Sequence, residues 1–288
     1  MTGQLREFIS RALAEDVGHG DITSESSVGV SAKCTARIVA KQRTILAGVD
    51  FAREVFAQVD STISFQSRTR DAVPVDGGHT VATLRGPTRS ILTAERVALN
   101  IIQRLSGIAW LTRQFVDATK DFKVRIVDTR KTTPGMRSME KYAVRAGGGY
   151  NHRFGLFDGI LIKDNHIVAA GGISEAVKRV SRRHHLMKVE VEVATLEDLR
   201  EALKAGVDII MLDNMQVEVM REAVRIARAA RKPILLEASG NVSLGIVRDI
   251  AATGVDLISI GALTHSAPAA DLSLRITSGR KALSARTA

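Results

Sequence analysis

Lys188-Val189-Glu190-Val191-Glu192-Val193 runs into a helical pattern over 196–205. That pattern closes in Ala205-Gly206-Val207-Asp208, where a strand pattern opens over Asp208-Ile209-Ile210-Met211-Leu212. The valine–glutamate alternation has the period of a β-strand and puts both carboxylates on one side. Leu196, Leu199 and Leu203 recur at helical spacing, and Gly206 is a helix stop. Strand, helix and strand in such a short span form the repeating unit of a parallel sheet with right-handed crossovers.

The same texture extends on both sides. Strands are expected at 124–128, 159–163, 188–193, 208–212, 233–237 and 256–260, and helices at 174–185, 196–205, 217–230 and 244–252. Thr253-Gly254-Val255-Asp256 nearly repeats Ala205-Gly206-Val207-Asp208, again closing a helix and opening a strand. Six strands at regular spacing favour an α/β barrel over an open doubly wound sheet.

Upstream the pattern differs. Residues 4–16 read as an amphipathic helix carrying Leu5, Phe8, Ile9 and Leu13, followed by a glycine-broken acidic turn, Glu15 to Thr23. Short strands at 35–41, 44–48, 63–67 and 80–84, with one helix among them and a turn at Asp76-Gly77-Gly78, indicate an antiparallel α+β module. Thr93 is the expected N-cap of a long helix reaching Lys120, with Val97, Ile101, Ile102 and Leu105 as its apolar stripe. Arg96 and Asn100 share another face, and Gly107 is a candidate bend or break. Residues 271–277 alternate like a further strand that returns to this module.

Bulk properties narrow the class. The 288 residues are 45% hydrophobic but only 4% aromatic, so the core must be aliphatic. The single cysteine, Cys34, excludes an internal disulfide framework and reads as a buried small apolar residue. Residues 1–21 lack a basic region followed by an apolar stretch, and no apolar run is long enough to span a bilayer, so a cytoplasmic protein without membrane contact is expected. The net charge of +10 gathers in Lys178, Arg179, Arg182, Arg183 and Lys188, and in Arg221, Arg225, Arg228, Arg231 and Lys232. These read as solvated helix faces. With few aromatics among them they make a poor platform for nucleic acid, and none is expected as a partner. Phosphate-loop, dinucleotide and serine-hydrolase signatures are absent. His184-His185 reads as surface, His19 and His79 as structural, and His265, in a loop after a strand, is left open.

Chemistry concentrates where the barrel strands end, the face on which α/β barrels build their sites. The first end gives Asp128 and Arg130, and the second Lys163-Asp164-Asn165-His166. The third gives Glu190 and Glu192, the fourth Asp213-Asn214, the fifth Glu237 with Ser239-Gly240, and the sixth Gly261-Ala262. After Asp128, Arg130, Lys131, Arg137, Lys141, Arg145, His152 and Arg153 crowd one segment around Pro134-Gly135 and three glycines, 147–149. Unpaired, these cations repel one another, and a multiply charged anion relieves that; arginine offers carboxylate or phosphate a two-pronged donor set. Early cations and later carboxylates together suit an anionic substrate with Mg²⁺. Backbone N–H groups after the last two strands suit a phosphate.

With these residues in view, the chain resembles the quinolinate phosphoribosyltransferases, also called nicotinate-nucleotide pyrophosphorylases (carboxylating). The resemblance rests on Asp128-Thr129-Arg130-Lys131-Thr132 with Pro134-Gly135, on Lys141-Tyr142-Ala143-Val144-Arg145 through Asn151-His152-Arg153, and on Leu161-Ile162-Lys163-Asp164-Asn165-His166. Glu15-Asp16 with Gly20-Asp21-Ile22-Thr23, Leu92-Thr93-Ala94-Glu95-Arg96, Leu212-Asp213-Asn214, Glu237-Ala238-Ser239-Gly240 and Gly261-Ala262-Leu263-Thr264-His265 support it.

The resemblance implies an α/β protein of two domains. One is an N-terminal open-faced α/β sandwich, 1–115, rejoined by 268–288; the other is an incomplete α/β barrel of six to seven strands, 116–267. It implies phosphoribosyl transfer from 5-phosphoribosyl-1-pyrophosphate to quinolinate with decarboxylation, dependent on Mg²⁺. Arg130, His152, Arg153 and Lys163 match positions that bind quinolinate. Arg96 matches one that reaches the neighbouring subunit's site in a homodimer. Lys131 matches a contact to the donor's phosphates, and Glu192 and Asp213 match carboxylates near the ribose and metal. Ser239, Gly240, Gly261 and Ala262 match the 5-phosphate cradle; Lys131, Glu192 and Asp213 are the implied catalytic groups. The alternative is a relative acting on another anion, either nicotinate or the substrate of the molybdenum-transport-associated branch. The +10 charge is not something the family requires.

Overall fold

The computed structural model describes residues 3–182, 186–230 and 232–277. In chain order the first elements are α1 (Gly3–Val17), α2 (Ile22–Ser27), β1 (Lys33–Ala40), β2 (Thr44–Ile45), α3 (Val49–Val59), β3 (Ser64–Ser67), β4 (Pro74–Val75), β5 (Thr80–Pro87) and α4 (Thr88–Ala118). There follow β6 (Arg125–Val127), α5 (Arg137–Ala146), β7 (Ile160–Ile162), α6 (Asp164–Ala170), α7 (Ile173–Ser181), β8 (Val189–Val193), α8 (Leu196–Ala205) and β9 (Ile209–Asp213). The last are α9 (Val217–Arg228), β10 (Leu235–Ser239), α10 (Val247–Ala251), β11 (Leu257–Ser259), α11 (Ala262–His265) and β12 (Leu272–Thr277). No described helix is long and apolar enough to cross a membrane.

The chain divides into two compact units, one reaching Trp110 and resuming at Pro268, the other Leu111–Ala267. The first is built on an antiparallel sheet in the order β12-β1-β5-β3. Ala36 and Ile38 of β1 are buried with Arg37 exposed between them, and after a register shift at Ile38/Val39 both Val39 and Ala40 are buried. The expected return of 271–277 is observed: β12 pairs with β1 from Thr35↔Thr277 to Ala40↔Leu272. Cys34, expected to be buried, is free and only half-buried, because it stands near the start of β1 opposite Gly86.

Two expectations about the long helix fail. Thr93 is not its cap: α4 begins at Thr88, directly after β5. The Thr93 hydroxyl instead donates to Asp21 Oδ2 (3.1 Å), while Asp21 Oδ1 caps α2 by accepting from Ser24 N (3.0 Å). A threonine's cap-like chemistry was satisfied across the fold rather than along the helix. Nor does Gly107 break α4, which runs through it to Ala118. A Cβ there would lie 2.0 Å from the carbonyl oxygen of Pro268. The glycine admits a crossing chain.

In the second unit six parallel strands stand in the order β6-β11-β10-β9-β8-β7. The first strand lies beside the last, as in a barrel, and the ring is open between β6 and β7. Beside β6, Val127 forms a single parallel bridge with Tyr150. This is the incomplete six-stranded barrel expected. The founding stretch folds as read: Thr195 and Asp198 close a reciprocal capping box on α8, and Gly206 ends it at φ 77°. α5 and α6 were not foreseen. In α5 the glycines on either side drew attention to loops, although Met139, Ala143, Val144 and Ala146 form a buried stripe. Lys178, Arg179, Arg182, Lys188, Arg221, Arg225, Arg228 and Lys232 are exposed, as expected; Arg183, His184, His185 and Arg231 lie outside the described residues. His19 and His79 are exposed.

Candidate active site

A cavity of about 790 Å³ opens at the C-terminal ends of the barrel strands. Thr129, Arg130 and Lys131 enter it after β6, and His152 and Arg153 from the segment after α5. Lys163 follows β7, Glu192 lies on β8 and Asp213 ends β9. Ser239 and Gly240 follow from β10, and Gly261 and Ala262 from the turn after β11. All eleven barrel residues that the resemblance placed around the substrates thus share one cavity. Arg96 lies on α4 in the first unit and is exposed. His265, left open before, lines the cavity.

The cation-rich segment divides into two roles, which corrects the reading of it as one anion-binding cluster. Lys141 is buried: its ammonium donates to Asp128 Oδ1 (2.5 Å) and to the His152 carbonyl (3.0 Å). Asp128, fully buried, also accepts from Asn151 Nδ2 (2.7 Å) and His152 N (2.9 Å). Burial raises its carboxyl above the usual range against those partners, Lys141 foremost. Arg137 donates to Thr132 Oγ1 (2.9 Å) and to the Phe154 carbonyl (3.1 Å). Both cations hold backbone in place and are not offered to a ligand.

The cations left in the cavity are of another kind. Arg130 Nε is buried without a hydrogen-bond partner. Arg153 donates from Nη1 to the Gly159 carbonyl (2.9 Å), and burial together with the neighbouring Arg130 charge lowers its proton affinity. Two neighbouring guanidiniums, one with an orphaned donor, form a pair that can hold a carboxylate or a phosphate. Lys163 pairs with Glu192 across the neighbouring strands β7 and β8.

Backbone strain gathers at the opposite wall. Asn214 and Asn241 adopt positive φ (52° and 48°), as does Gly240 (98°). Asn241 Nδ2 donates to Asn214 Oδ1 (3.0 Å), and Asn214 Nδ2 to Asp213 Oδ2 (2.9 Å). A Cβ on Gly240 would sit 2.2 Å from Asn214 Oδ1, so only glycine fits beside that side chain. Asn214 was visible in the sequence as the neighbour of Asp213, but its part in shaping the turn was not.

Glu190 and Glu237, which the sequence placed at strand ends without assigning them a role, gather around His152, and His152 and Glu237 both line the cavity. Glu190 and Glu237 are buried, and His152 Nε2 is 3.0 Å from Glu190 Oε2 and 3.6 Å from Glu237 Oε2. Burial, then the Glu190 charge, pushes Glu237 up to about 7. Burial alone would lower the His152 imidazole, but the hydrogen bond to Glu190 and the two carboxylate charges carry it above its ordinary value. The available signal was the alternation: Glu190 shares a side with Glu192 but sits one pleat deeper.

Residues 21–106 match the N-terminal domain of quinolinate phosphoribosyl transferase, and residues 108–275 match its C-terminal domain. The chain belongs to the quinolinate phosphoribosyltransferase family. Among its relatives in the family, a probable nicotinate-nucleotide pyrophosphorylase [carboxylating] of Bacillus subtilis (strain 168) is 46% identical over 95% of this chain and 94% of its own. Quinolinate phosphoribosyltransferase [decarboxylating] 2b, mitochondrial, of Nicotiana tabacum is 42% identical over 96% of this chain and 83% of its own. The solved nicotinate-nucleotide pyrophosphorylase of Francisella tularensis superposes with a TM-score of 0.91 at 44% identity, covering 95% of this chain and 96% of that one. Similarity therefore extends through both units.

Proposed function

We propose that this chain transfers the phosphoribosyl group of 5-phosphoribosyl-1-pyrophosphate to the ring nitrogen of quinolinate and releases nicotinate mononucleotide, pyrophosphate and CO₂. The observation that carries the reading is the orphaned, buried Nε of Arg130 beside Arg153 in a cavity that Lys163 also lines. Quinolinate is a dianion of adjacent carboxylates, and paired guanidiniums meet carboxylates in fixed geometry. Lys131 faces the donor's phosphates, and the turns at Ser239-Gly240 and Gly261-Ala262 take the 5-phosphate.

Glu192 and Asp213 are half-buried oxygen donors on adjacent strands lining one cavity, a set that fits Mg²⁺ together with substrate phosphates and water. When bound, Mg²⁺ supplies charge neutralisation for the departing pyrophosphate. The chain's own residues orient the pyridine nitrogen against the anomeric carbon, and the negative field of Glu192 and Asp213 favours the cation-like ribose as the C–O bond breaks. The new C–N bond leaves the ring nitrogen positive. The adjacent C–C bond then breaks to give CO₂, its electron pair stays on the ring carbon, and a proton replaces it. Arg130 and Arg153 hold the carboxylates in place for that order of events.

The test is a parallel assay with Mg²⁺, the phosphoribosyl donor and either quinolinate or nicotinate, following mononucleotide and CO₂. Product from quinolinate alone is expected. Product from nicotinate alone, or from neither substrate with folded protein, refutes the reading.

The same reading makes the enzyme a cytoplasmic homodimer in which the exposed Arg96 completes the neighbour's site. Arg96→Ala and Lys163→Ala proteins are each expected to be inactive, and mixing them with subunit exchange to restore about a quarter of wild-type activity, because half the dimers then hold one intact site. No recovery after verified exchange would count against a shared site.

A further inference from the structure

Two asparagines on the strained wall of the cavity share an uncommon conformation. Asn214 directly follows β9 and Asn241 stands two residues beyond β10, and both hold positive φ, 52° and 48°. Asparagine tolerates left-handed backbone better than most residues, which by itself would account for its presence at both positions. Their side chains do more. Asn214 Nδ2 donates to Asp213 Oδ2 at 2.9 Å, and Asn241 Nδ2 donates to Asn214 Oδ1 at 3.0 Å. The direction of this chain is set at its carboxylate end. An ionised Asp213 only accepts, so Asn214 must turn its NH₂ toward it; the amide oxygen then faces Asn241, which must answer with its own NH₂. The backbone runs in parallel, since Asn214 N donates to the Ser239 carbonyl at 2.9 Å. Gly240 leaves the space that the Asn214 amide fills: a Cβ there would lie 2.2 Å from Oδ1 and 2.5 Å from Cγ.

We propose that Asn214 and Asn241 are positioning residues: Asn241 orients the Asn214 amide, and Asn214, holding Oδ2 of Asp213, leaves Oδ1 aimed at the phosphoribosyl donor and its Mg²⁺. The proposal rests on the reaction proposed above. The choice of an amide has a physical reason. Glu192, on the adjacent strand, is paired with Lys163, whereas Asp213 forms no ion pair among the described residues. A neutral donor fixes the orientation of a carboxylate without cancelling its charge, so the charge of Asp213 stays available to the metal and to the cation-like ribose. The relay also joins two subsites, because Asn241 belongs to the turn that takes the 5-phosphate and Asp213 to the strand end near the ribose.

The experiment separates side chain from backbone. Glycine takes a positive φ at no steric cost, so Asn214→Gly and Asn241→Gly keep the turns and delete the amides. Asn214→Gly is expected to lower kcat/KM for the phosphoribosyl donor roughly thirtyfold and Asn241→Gly roughly fivefold, with the KM for quinolinate within about twofold of the unaltered chain's. The double variant is expected to be no worse than Asn214→Gly, because Asn241 acts through Asn214. Glycine variants as active as the unaltered chain would mean that the asparagines serve the backbone alone. Additive losses would mean that Asn241 meets the donor itself. Either result overturns the relay. A crystal structure of Asn214→Gly gives a readout apart from activity: the Asp213 carboxylate is expected to rotate from its orientation in the unaltered chain, and an unmoved carboxylate overturns the proposal. If the unaltered chain neither binds nor turns over the donor, the proposed reaction fails, and the crystallographic comparison still decides the relay.

Discussion

Arg130→Ala is expected to lower turnover of quinolinate by roughly three orders of magnitude and to leave the thermal midpoint nearly unchanged. The expected loss follows from the charge-assisted contact to a substrate carboxylate proposed for Arg130, a kind of contact for which removing one partner costs about 2–5 kcal/mol or more. The preserved fold follows from what Arg130 does not do. Its Nε has no partner, and its charge already works against that of its neighbour Arg153. Removing it relieves a repulsion in the free protein and opens no aliphatic core. Arg130→Lys recovers little, because a point charge cannot reproduce the two-pronged donor set. Steady-state kinetics beside thermal unfolding checks both halves. An active Arg130→Ala protein, or one that melts many degrees lower, contradicts the role assigned here.

Lys141→Met is expected to give the reverse result, a loss of stability of about 3–5 kcal/mol. The ammonium is 4% exposed and lies 2.5 Å from the fully buried Asp128 carboxylate, whose proton affinity burial already raises. Without Lys141 that carboxylate keeps only the His152 N–H and the Asn151 amide. It must then take up a proton or open the structure around it. Arg145→Ala, four residues along the same helix and exposed, is the control and shifts stability by about 0.5 kcal/mol or less. Urea denaturation of the three proteins decides the matter. A Lys141→Met midpoint equal to that of the control would mean that the pair is not what holds this segment. The two variants separate the cations that the sequence presented as one cluster, one set available to a ligand and one consumed by the fold.

That separation marks the boundary between what could be read and what could not. The barrel was legible because its information is local. Valine–glutamate alternation at 189–193, leucines at helical spacing and Gly206 at a left-handed stop each report on a few consecutive residues, and β8, α8 and β9 form where they predict. The gathering of Arg130, Lys131, Lys163, Glu192 and Asp213 was legible for a related reason. Once strands are parallel, their C-terminal ends must meet on one face. Pairing was not legible. Thr93 has the chemistry of a helix cap, yet its partner is Asp21, and nothing near Thr93 in the sequence distinguishes the two uses. Gly107 looked like a break in a helix until Pro268 was found passing over it. Lys141 and Arg137 looked as available as Arg130 and Arg153, since charge is written in the sequence but burial is not. Glu190 and Glu192 are equivalent by alternation, and only depth within the ring sends one to His152 and the other to Lys163. The sequence by itself determined the elements, their order and the face on which the chemistry collects, because these depend on neighbours along the chain. The tertiary structure alone decided which charges are spent on one another and which are left for a substrate, because that depends on partners far apart in sequence and on how little water reaches them.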